Sequence, residues 1–360
     1  MKFRRMLSRA RLACAALLVM YCALAARADT VASCAQKFPG ADEAQKRLRY
    51  RCYDAAEALP PIASAETGVA DQIADAPVQT AAANAPSRLD ALWRTDKPRS
   101  LQPYRQNYLM MTHTGSPNNA PRSGNPTNNV PHTFDLRQNE AKFQLSVKAL
   151  GLDATALEFL GGGNSLWFAY TQQSVWQIGD ADRSRPFRES NYEPEVIFSH
   201  RIEPGKRFGD LPAEVFGFAP RFLNFGLVHQ SNGQSLPRSR SWNRAYAQLG
   251  MERNLSEGSS VAILVRPWVR LGDRTGNDDN PDIGHYLGHG DIELLYWKNG
   301  RLLSLLGRRR SLQVDLSIPF DREEKSLQLH LQYFTGYGES LIDYSQRHSV
   351  FGVGLSLPYR

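Results

Sequence analysis

The sequence of 360 residues contains no long apolar run and only four cysteines. The longest apolar run covers residues 12–26, whereas a helix that crosses a membrane needs about 20 apolar residues. We therefore expect no transmembrane helix. The cysteines form no C-x-x-C pair, which disfavours a zinc site. The motif G-x-S-x-G is also absent, which disfavours the nucleophile elbow of a soluble α/β-hydrolase.

A positive charge excess is also missing once the N-terminus is set apart. The whole chain has 43 Lys and Arg against 36 Asp and Glu, but residues 1–28 contain six of the basic residues and no acidic one. The remaining chain has 37 basic and 36 acidic residues. A nearly neutral chain lacks the net positive charge typical of nucleic-acid-binding proteins, so we expect no nucleic-acid partner.

Residues 1–28 have the organisation of a secretory signal peptide. A basic start is followed by the apolar run and by Ala26-Arg27-Ala28, which fits a small-x-small cleavage site. We expect the mature chain to begin at Asp29 and to leave the cytoplasm. An N-terminal membrane anchor is the alternative, but the apolar run is too short for one.

Three further regions follow the predicted cleavage site. Only Cys34 and Cys52 remain after cleavage, and such a pair in an oxidising compartment predicts a disulfide. The Ala-, Lys- and Arg-rich sequence around them predicts that residues 29–58 form a small helical segment closed by that disulfide. Residues 59–100 are rich in Ala, Pro, Asp and Gln, which predicts a flexible linker. We assign residues 101–360 to a β domain.

Strict alternation of apolar and polar residues recurs in this β domain. For example, Leu312, Val314 and Leu316 alternate with Gln313 and Asp315. Such alternation fits a soluble β-sandwich or a membrane β-barrel. Charged and amide residues on many polar faces, with both short turns and long polar connections, favour an outer-membrane barrel. We expect an all-β fold of about twelve antiparallel strands, starting near residues 104, 141, 165, 193, 221, 241, 259, 287, 300, 311, 325 and 349.

One predicted β-hairpin contains a candidate catalytic site. His229 and Ser231 are two residues apart on one strand, so their side chains share the face that carries the apolar stripe. If the hairpin centres on Leu236, Ser231 lies opposite Ser241 and His229 lies opposite Asn243. Ser, His and Asn can then act as nucleophile, general base and orienting group. A site that faces lipid implies a lipid substrate; polar residues at a loop edge are the alternative explanation.

This hairpin and several other segments resemble the outer membrane phospholipase A family. The resemblance covers about residues 103–357. Its motifs are YTQ (170–172), PFRESNYEP (186–194), HQSNG (229–233), SRSWNR (239–244), DDNPD (278–282) and GYGESLIDY (336–344). The resemblance implies a twelve-stranded outer-membrane β-barrel that hydrolyses the sn-1 and sn-2 acyl esters of phospholipids, and also lysophospholipids. It further implies a requirement for calcium and activation by homodimerisation.

The resemblance also implies roles for individual residues. Ser231 matches the nucleophile, His229 the general base and Asn243 the group that orients the histidine. The backbone N–H of Gly233 matches a donor of the oxyanion hole. Gln172 matches a residue of the dimer interface that supports the catalytic asparagine.

Four positions match calcium ligands of the family. Ser239 and Gln234 match ligands in the catalytic loop, and Asp279 matches an acidic residue of a second calcium site. Ser184 matches a ligand that the partner subunit contributes. All four supply oxygen atoms, as a hard cation requires. Gln234 stands where well-known members have Arg, but the family ligand at this position is a backbone carbonyl.

The chain departs from the family pattern at two further places. Gln230 stands where well-known members have Asp, and we expect its side chain to point to the opposite face of the strand from His229 and Ser231. The sequence ends in Leu-Pro-Tyr-Arg360 rather than in an aromatic residue. The alternative functions are a catalytically silent outer-membrane barrel or channel and a soluble secreted serine esterase.

Overall fold

The computed structural model describes residues 87–93, 101–153, 156–157, 163–178, 187–202, 214–256, 258–272, 278–321 and 327–358. The predicted signal peptide (1–28), the predicted segment 29–58 with Cys34 and Cys52, and most of the predicted linker lie outside the described residues. No helix in the described part of the chain is long and apolar enough to cross a membrane.

Twelve long antiparallel strands form a closed β-barrel, as the alternation of apolar and polar residues predicts. Strands that follow one another in the chain are paired, and β2 closes the barrel by pairing with both β3 and β13. The short strand β1 (Gln102–Pro103) pairs with β3. The barrel strands are β2 (Tyr108–Thr114), β3 (Asn139–Leu152), β4 (Asn164–Trp176), β5 (Phe187–Arg201), β6 (Ala219–Ser231), β7 (Ser241–Ser256), β8 (Ser259–Leu271), β9 (Gly290–Lys298), β10 (Arg301–Arg308), β11 (Ser311–Pro319), β12 (Gln328–Tyr337) and β13 (Arg347–Ser356).

The two faces of the barrel wall differ in chemistry. Along β2, Leu109 and Met111 are exposed on the outer face, while Met110 and Thr112 are buried. Charged side chains such as Lys142 are buried in the interior. An apolar outer face around a polar interior is typical of a membrane barrel, whereas a sandwich hides its apolar face in a core. The structure therefore confirms the membrane barrel over the sandwich.

The connections divide the barrel into two ends. At the loop end lie the long connection 115–138, with a 3₁₀ helix (Pro126–Asn128), and the described residues 278–289 before β9, with a short α-helix (Ile283–Leu287). At the opposite end, which we name the terminal end, β2 begins, β13 finishes and a two-residue turn joins β9 to β10. Long polar loops at one end of an outer-membrane barrel are typical of its extracellular side.

Most strands begin within a few residues of their predicted positions, but β5 begins earlier. Its first residue is Phe187, whereas the sequence pattern places the start near residue 193. Glu189 and Asn191, in the early part of this strand, are buried polar residues. Because these residues face the polar interior, hydropathy alone gave no signal for the start of β5.

A short helix corrects part of the linker prediction. Helix α1 (Arg88–Leu92) lies within residues 59–100, yet its Leu89 and the following Trp93 are buried. Ser87 caps the helix with its side chain. A capping serine followed by apolar residues at helical spacing is a signal that the sequence does contain, but it spans less than two turns.

The barrel interior holds α1 at the terminal end. The Glu252 carboxylate accepts a hydrogen bond from the backbone N–H of Leu89 at 3.0 Å. The Lys148 ammonium lies 3.6 Å from the centroid of the Trp93 ring, a cation–π contact. The same ring packs edge-on against Trp167, with centroids 5.8 Å apart. These contacts tie α1 to several strands of the barrel wall.

Candidate active site

The β6–β7 hairpin places His229, Ser231 and Asn243 on the outer face of the barrel. In the register of this hairpin, His229 lies opposite Asn243 and Ser231 lies opposite Ser241, which confirms the predicted pairing. Leu227 is exposed on the same face, one step along β6. The three candidate catalytic side chains therefore lie on the surface that contacts lipid.

His229 and Asn243 are hydrogen bonded. His229 Nδ1 lies 2.8 Å from Asn243 Oδ1. Because an amide oxygen only accepts hydrogen bonds, the neutral imidazole that makes this contact carries its proton on Nδ1 and has Nε2 as an acceptor. That tautomer is the one that a general base needs beside a serine hydroxyl. The contact gives Asn243 the geometry of an orienting group.

Gly233 brings a backbone donor next to the Ser231 hydroxyl. Its N–H donates to Ser231 Oγ at 3.1 Å. The φ angle of Gly233 is +61°, in the left-handed region that favours glycine. A Cβ at this position would also lie only 3.2 Å from Tyr192 Cε2. Glycine therefore satisfies both the backbone conformation and the close approach of the tyrosine ring.

Arg240 stabilises the loop between β6 and β7 from inside. Its side chain is buried, and its guanidinium donates to the carbonyls of Pro237 at 3.1 Å, Ser239 at 2.7 Å and Asn128 at 2.9 Å. Burial lowers the pKa of Arg240, and the nearby Tyr344 opposes this shift. Sequence reasoning missed Arg240, because its partner Asn128 comes from a distant connection.

Two of the candidate calcium ligands, Ser239 and Asp279, are in direct contact near this loop. Ser239 Oγ donates to Asp279 Oδ2 at 2.7 Å. Gln234 Nε2 donates to the Arg188 carbonyl at 3.1 Å, while its Oε1 is buried and has no partner among the described residues. Hydroxyl, carboxylate and amide oxygens are the donors that calcium prefers, so these residues fit the ion. Ser184 lies outside the described residues.

Gln172 lies on the outer face of β4, in the same row as Ser231. It is opposite Tyr192 of β5, which is in turn opposite Ser231 of β6. Two strand spacings, about 10 Å, therefore separate Gln172 from Ser231. Gln172 Oε1 accepts a hydrogen bond from the Tyr170 hydroxyl at 3.0 Å. No hydrogen bond joins it to Asn243 within the described part of this chain.

Comparisons with known proteins show the family to which this chain belongs. A family model for phospholipase A1 matches residues 90–357. Phospholipase A1 of Salmonella typhimurium is 35% identical over 305 residues, which are 83% of this chain and 94% of that protein. The chain belongs to the phospholipase A1 family. A relative from Neisseria meningitidis serogroup B is 38% identical over 259 residues, 69% of this chain, and the match spans only 63% of that relative.

Solved structures of the family have the same barrel. An active-site mutant of outer membrane phospholipase A from Escherichia coli is 33% identical, with a TM-score of 0.60, and the match covers 75% of this chain and 96% of that one. The Salmonella typhi outer membrane phospholipase, a dimer with bound calcium, is 32% identical with the same TM-score and coverage. This family member is therefore a phospholipase, an ester hydrolase on a multi-pass barrel of the bacterial outer membrane.

A second group of potential metal ligands lies inside the barrel at the loop end. Single ligand atoms of Glu339, Asp343 and His348 all lie within 4.8 Å of one another. Lys142 Nζ is 3.0 Å from Glu339, and an Arg188 nitrogen is 2.6 Å from Asp343. Although burial favours the neutral acid, Lys142 holds the pKa of Glu339 well below its usual range. Cations of the protein itself neutralise both carboxylates, so we assign no metal to this group.

Proposed function

We propose that this chain is a calcium-dependent phospholipase that uses Ser231 to cleave the sn-1 and sn-2 acyl esters of phospholipids, and also lysophospholipids. The observation that carries the proposal is the 2.8 Å contact between His229 Nδ1 and Asn243 Oδ1, on the same outer face as Ser231. The exposed side chains of Leu227 and Phe225 continue this face. Acyl chains can therefore approach the site along the apolar wall without leaving the membrane.

The proposed reaction has two acyl-transfer steps. Ser231 Oγ attacks the ester carbonyl carbon while its proton passes to His229 Nε2, and the Gly233 N–H donates to the oxygen that becomes negative. His229 then gives the proton to the departing lysophospholipid oxygen, and a water deprotonated by His229 releases the fatty acid from Ser231. Asn243 is neutral, so it orients the imidazole but stabilises the imidazolium less than a carboxylate would.

The loop after β6 supplies calcium ligands in this proposal. Calcium, when bound, supplies positive charge that stabilises the negative oxygen of the reacting ester. We assign the ion at the catalytic loop to Ser239 and Gln234, with Ser184 of the partner subunit, and a second calcium site to Asp279. The 2.7 Å contact between Ser239 and Asp279 supports this assignment, in which Gln234 contributes its backbone carbonyl. The calcium bound in the Salmonella typhi relative supports a calcium requirement in this chain.

We assign the active form to a homodimer. A single chain would lack the ligand that the partner subunit contributes, so dimerisation would complete the site. The outward position of Gln172, in the row of Ser231, supports a dimer interface beside the catalytic hairpin. We expect specific activity to follow the dimer fraction, measured by sedimentation in detergent with calcium or with a chelator. A strictly monomeric preparation with full turnover would contradict this assignment.

Fatty-acid release from phosphatidylcholine with different acyl chains at sn-1 and sn-2 tests the proposal. The purified protein in detergent should release both acids with calcium and neither with a chelator, and Ser231→Ala should abolish release. Ser349→Ala, which changes an exposed serine on β13, is the matched control. Release that persists in Ser231→Ala would reject the triad. No release from a folded dimer of the unchanged protein with calcium would favour the silent barrel.

A further inference from the structure

The side chain of Asn232 lies buried beneath the proposed catalytic loop, between the nucleophile and the oxyanion donor in sequence. Its Oδ1 accepts hydrogen bonds from the backbone N–H of Arg240 at 2.9 Å and of Gln234 at 3.3 Å. Its Nδ2 donates to the Arg238 carbonyl at 2.8 Å and to Glu189 Oε1 at 3.2 Å. The amide has two donors and two acceptor positions, and all four are used.

These four bonds join the two sides of the loop. The Asn232 backbone N–H also donates to the Arg240 carbonyl at 3.0 Å, which extends the β6–β7 pairing by one step. The side chain then connects Gln234, on one side of Gly233, to Arg238 and Arg240 on the returning chain. These hydrogen bonds restrict the backbone on both sides of Gly233.

Glu189 connects this amide to the barrel. The same Oε1 that accepts from Asn232 also accepts from the backbone N–H of Ile342 at 2.8 Å. Glu189 belongs to β5, and Ile342 belongs to the connection between β12 and β13. The loop is therefore fixed to the wall and to a second connection, and not only to its own hairpin.

We propose that Asn232 is a positioning residue that holds the Gly233 N–H beside Ser231 Oγ, in the direction of the developing oxyanion. This inference rests on the proposed catalytic role of Ser231. Asn232 itself touches no substrate, since its side chain is buried and all its polar atoms are bonded to protein. Loss of its bonds should therefore act on the transition state rather than on substrate binding.

The N232D variant tests this role with almost no change in shape. The N232D side chain keeps both acceptor positions but has no N–H to donate, so it loses the bond to the Arg238 carbonyl and replaces the amide donation to Glu189 with a contact between two acidic groups. We expect kcat to fall on the order of 10- to 100-fold, with KM within about twofold of the parent value. The readouts are kcat and KM for fatty-acid release, measured on verified dimer with saturating calcium.

The matched control is N107D at the terminal end. Asn107 is also buried, and its Nδ2 donates to two backbone carbonyls, those of Ser146 at 3.0 Å and Arg105 at 3.3 Å. N107D therefore loses the same two donations far from Ser231. We expect it to lower the resistance of the barrel to urea while kcat per folded dimer stays at the parent value.

The double variant N232D/E189Q tests the connection to Glu189. The amide of E189Q can donate to the carboxylate of N232D and can still accept from the Ile342 N–H. We expect it to recover kcat at least about threefold over N232D while it stays below the parent, because the donation to the Arg238 carbonyl remains lost. If N232D does not assemble, the double variant alone tests the inference, and parental kcat in it would overturn the positioning role.

Three results overturn the inference. One is a kcat of N232D within twofold of the parent. Another is an equal loss of kcat in N107D. The third is a fall in kcat with a matching rise in KM and no recovery in the double variant, which indicates a merely structural role. If the unchanged protein releases no fatty acid, the proposed function fails together with this inference. If the unchanged protein releases fatty acid and one of the three results above is found, only this inference fails.

Discussion

The bond between His229 and Asn243 has a matched counterpart on the same barrel. His113 and Asn139 lie opposite each other on β2 and β3, again with Nδ1 and Oδ1 2.8 Å apart and exposed. We expect Asn243→Ala to lower kcat for fatty-acid release about tenfold, because His229 loses the bond that selects its tautomer. Asn139→Ala removes an equal bond from another hairpin and should leave kcat unchanged. Equal losses in the two variants would contradict the orienting role.

Ser239 is the residue of the calcium proposal that is simplest to test. Ser239→Ala removes a hydroxyl oxygen and the 2.7 Å donation to Asp279 Oδ2, which keeps the donation from the Ser241 hydroxyl at 3.2 Å. We expect the half-saturating calcium concentration to rise about tenfold, with a smaller change of kcat at saturating calcium. Ser235→Ala, at an exposed position of the same loop, should keep the parental calcium titration. An unchanged titration for Ser239→Ala would mean that Ser239 is not a ligand.

Single residues could be predicted where one periodicity and one turn decide the geometry. His229 lies opposite Asn243 because side chains alternate between the two faces of each strand and because the hairpin centres on Leu236, as the sequence predicts. The same rule sends Gln230 to the opposite face, where it accepts a hydrogen bond from a buried tryptophan. The contact of Arg240 with Asn128 joins residues 112 positions apart, and such loop contacts leave no periodic signal in a sequence.

At the scale of elements, strands were predictable and the short helix was not. Alternation over many residues marked the strands, and only β5, whose first inner-face residues are polar, began well before the expected position. Helix α1 (Arg88–Leu92) has five residues, too few for a periodic pattern or for stability in isolation. The helix is stabilised by its contacts with the barrel interior, and a local sequence pattern does not predict such contacts.

Trp93 is the side chain that should link α1 most strongly to the barrel. It contacts the Lys148 ammonium at 3.6 Å and the Trp167 ring at 5.8 Å. We expect Trp93→Ala to lower the free energy of unfolding by about 3 kcal/mol, measured by circular dichroism during urea unfolding in detergent. Leu101→Ala, which changes an exposed leucine that precedes the strands, is the control and should change it much less. Equal effects would show that α1 does not stabilise the barrel.

At the scale of the whole molecule, the barrel interior is occupied by charged side chains. Arg105 pairs with Glu193 at 2.7 Å, and Arg266 pairs with Asp291 at 2.6 Å. A cavity of about 190 Å³ lies among these side chains, and Leu92 of α1 and the following Trp93 line part of it. We expect no steady conductance when the protein is inserted into planar lipid bilayers. Stable ohmic conductance would support the passive-channel alternative instead.

The global architecture was predictable because one rule applies to every strand. The alternation of apolar and polar residues predicted the strands of the barrel wall. The polar residues on one face of each strand favoured a membrane barrel over a sandwich. The interior ion pairs were not predictable, because each depends on which strands meet across the barrel.

Covalent labelling of the nucleophile tests the central claim most directly. A long-chain alkylsulfonyl fluoride reacts with a serine that a histidine has activated. We predict a single adduct on Ser231, located by peptide mass spectrometry, that forms with calcium and is lost in His229→Ala. An adduct on a different residue, or undiminished labelling of His229→Ala, would contradict a Ser231–His229–Asn243 site on the lipid-facing wall.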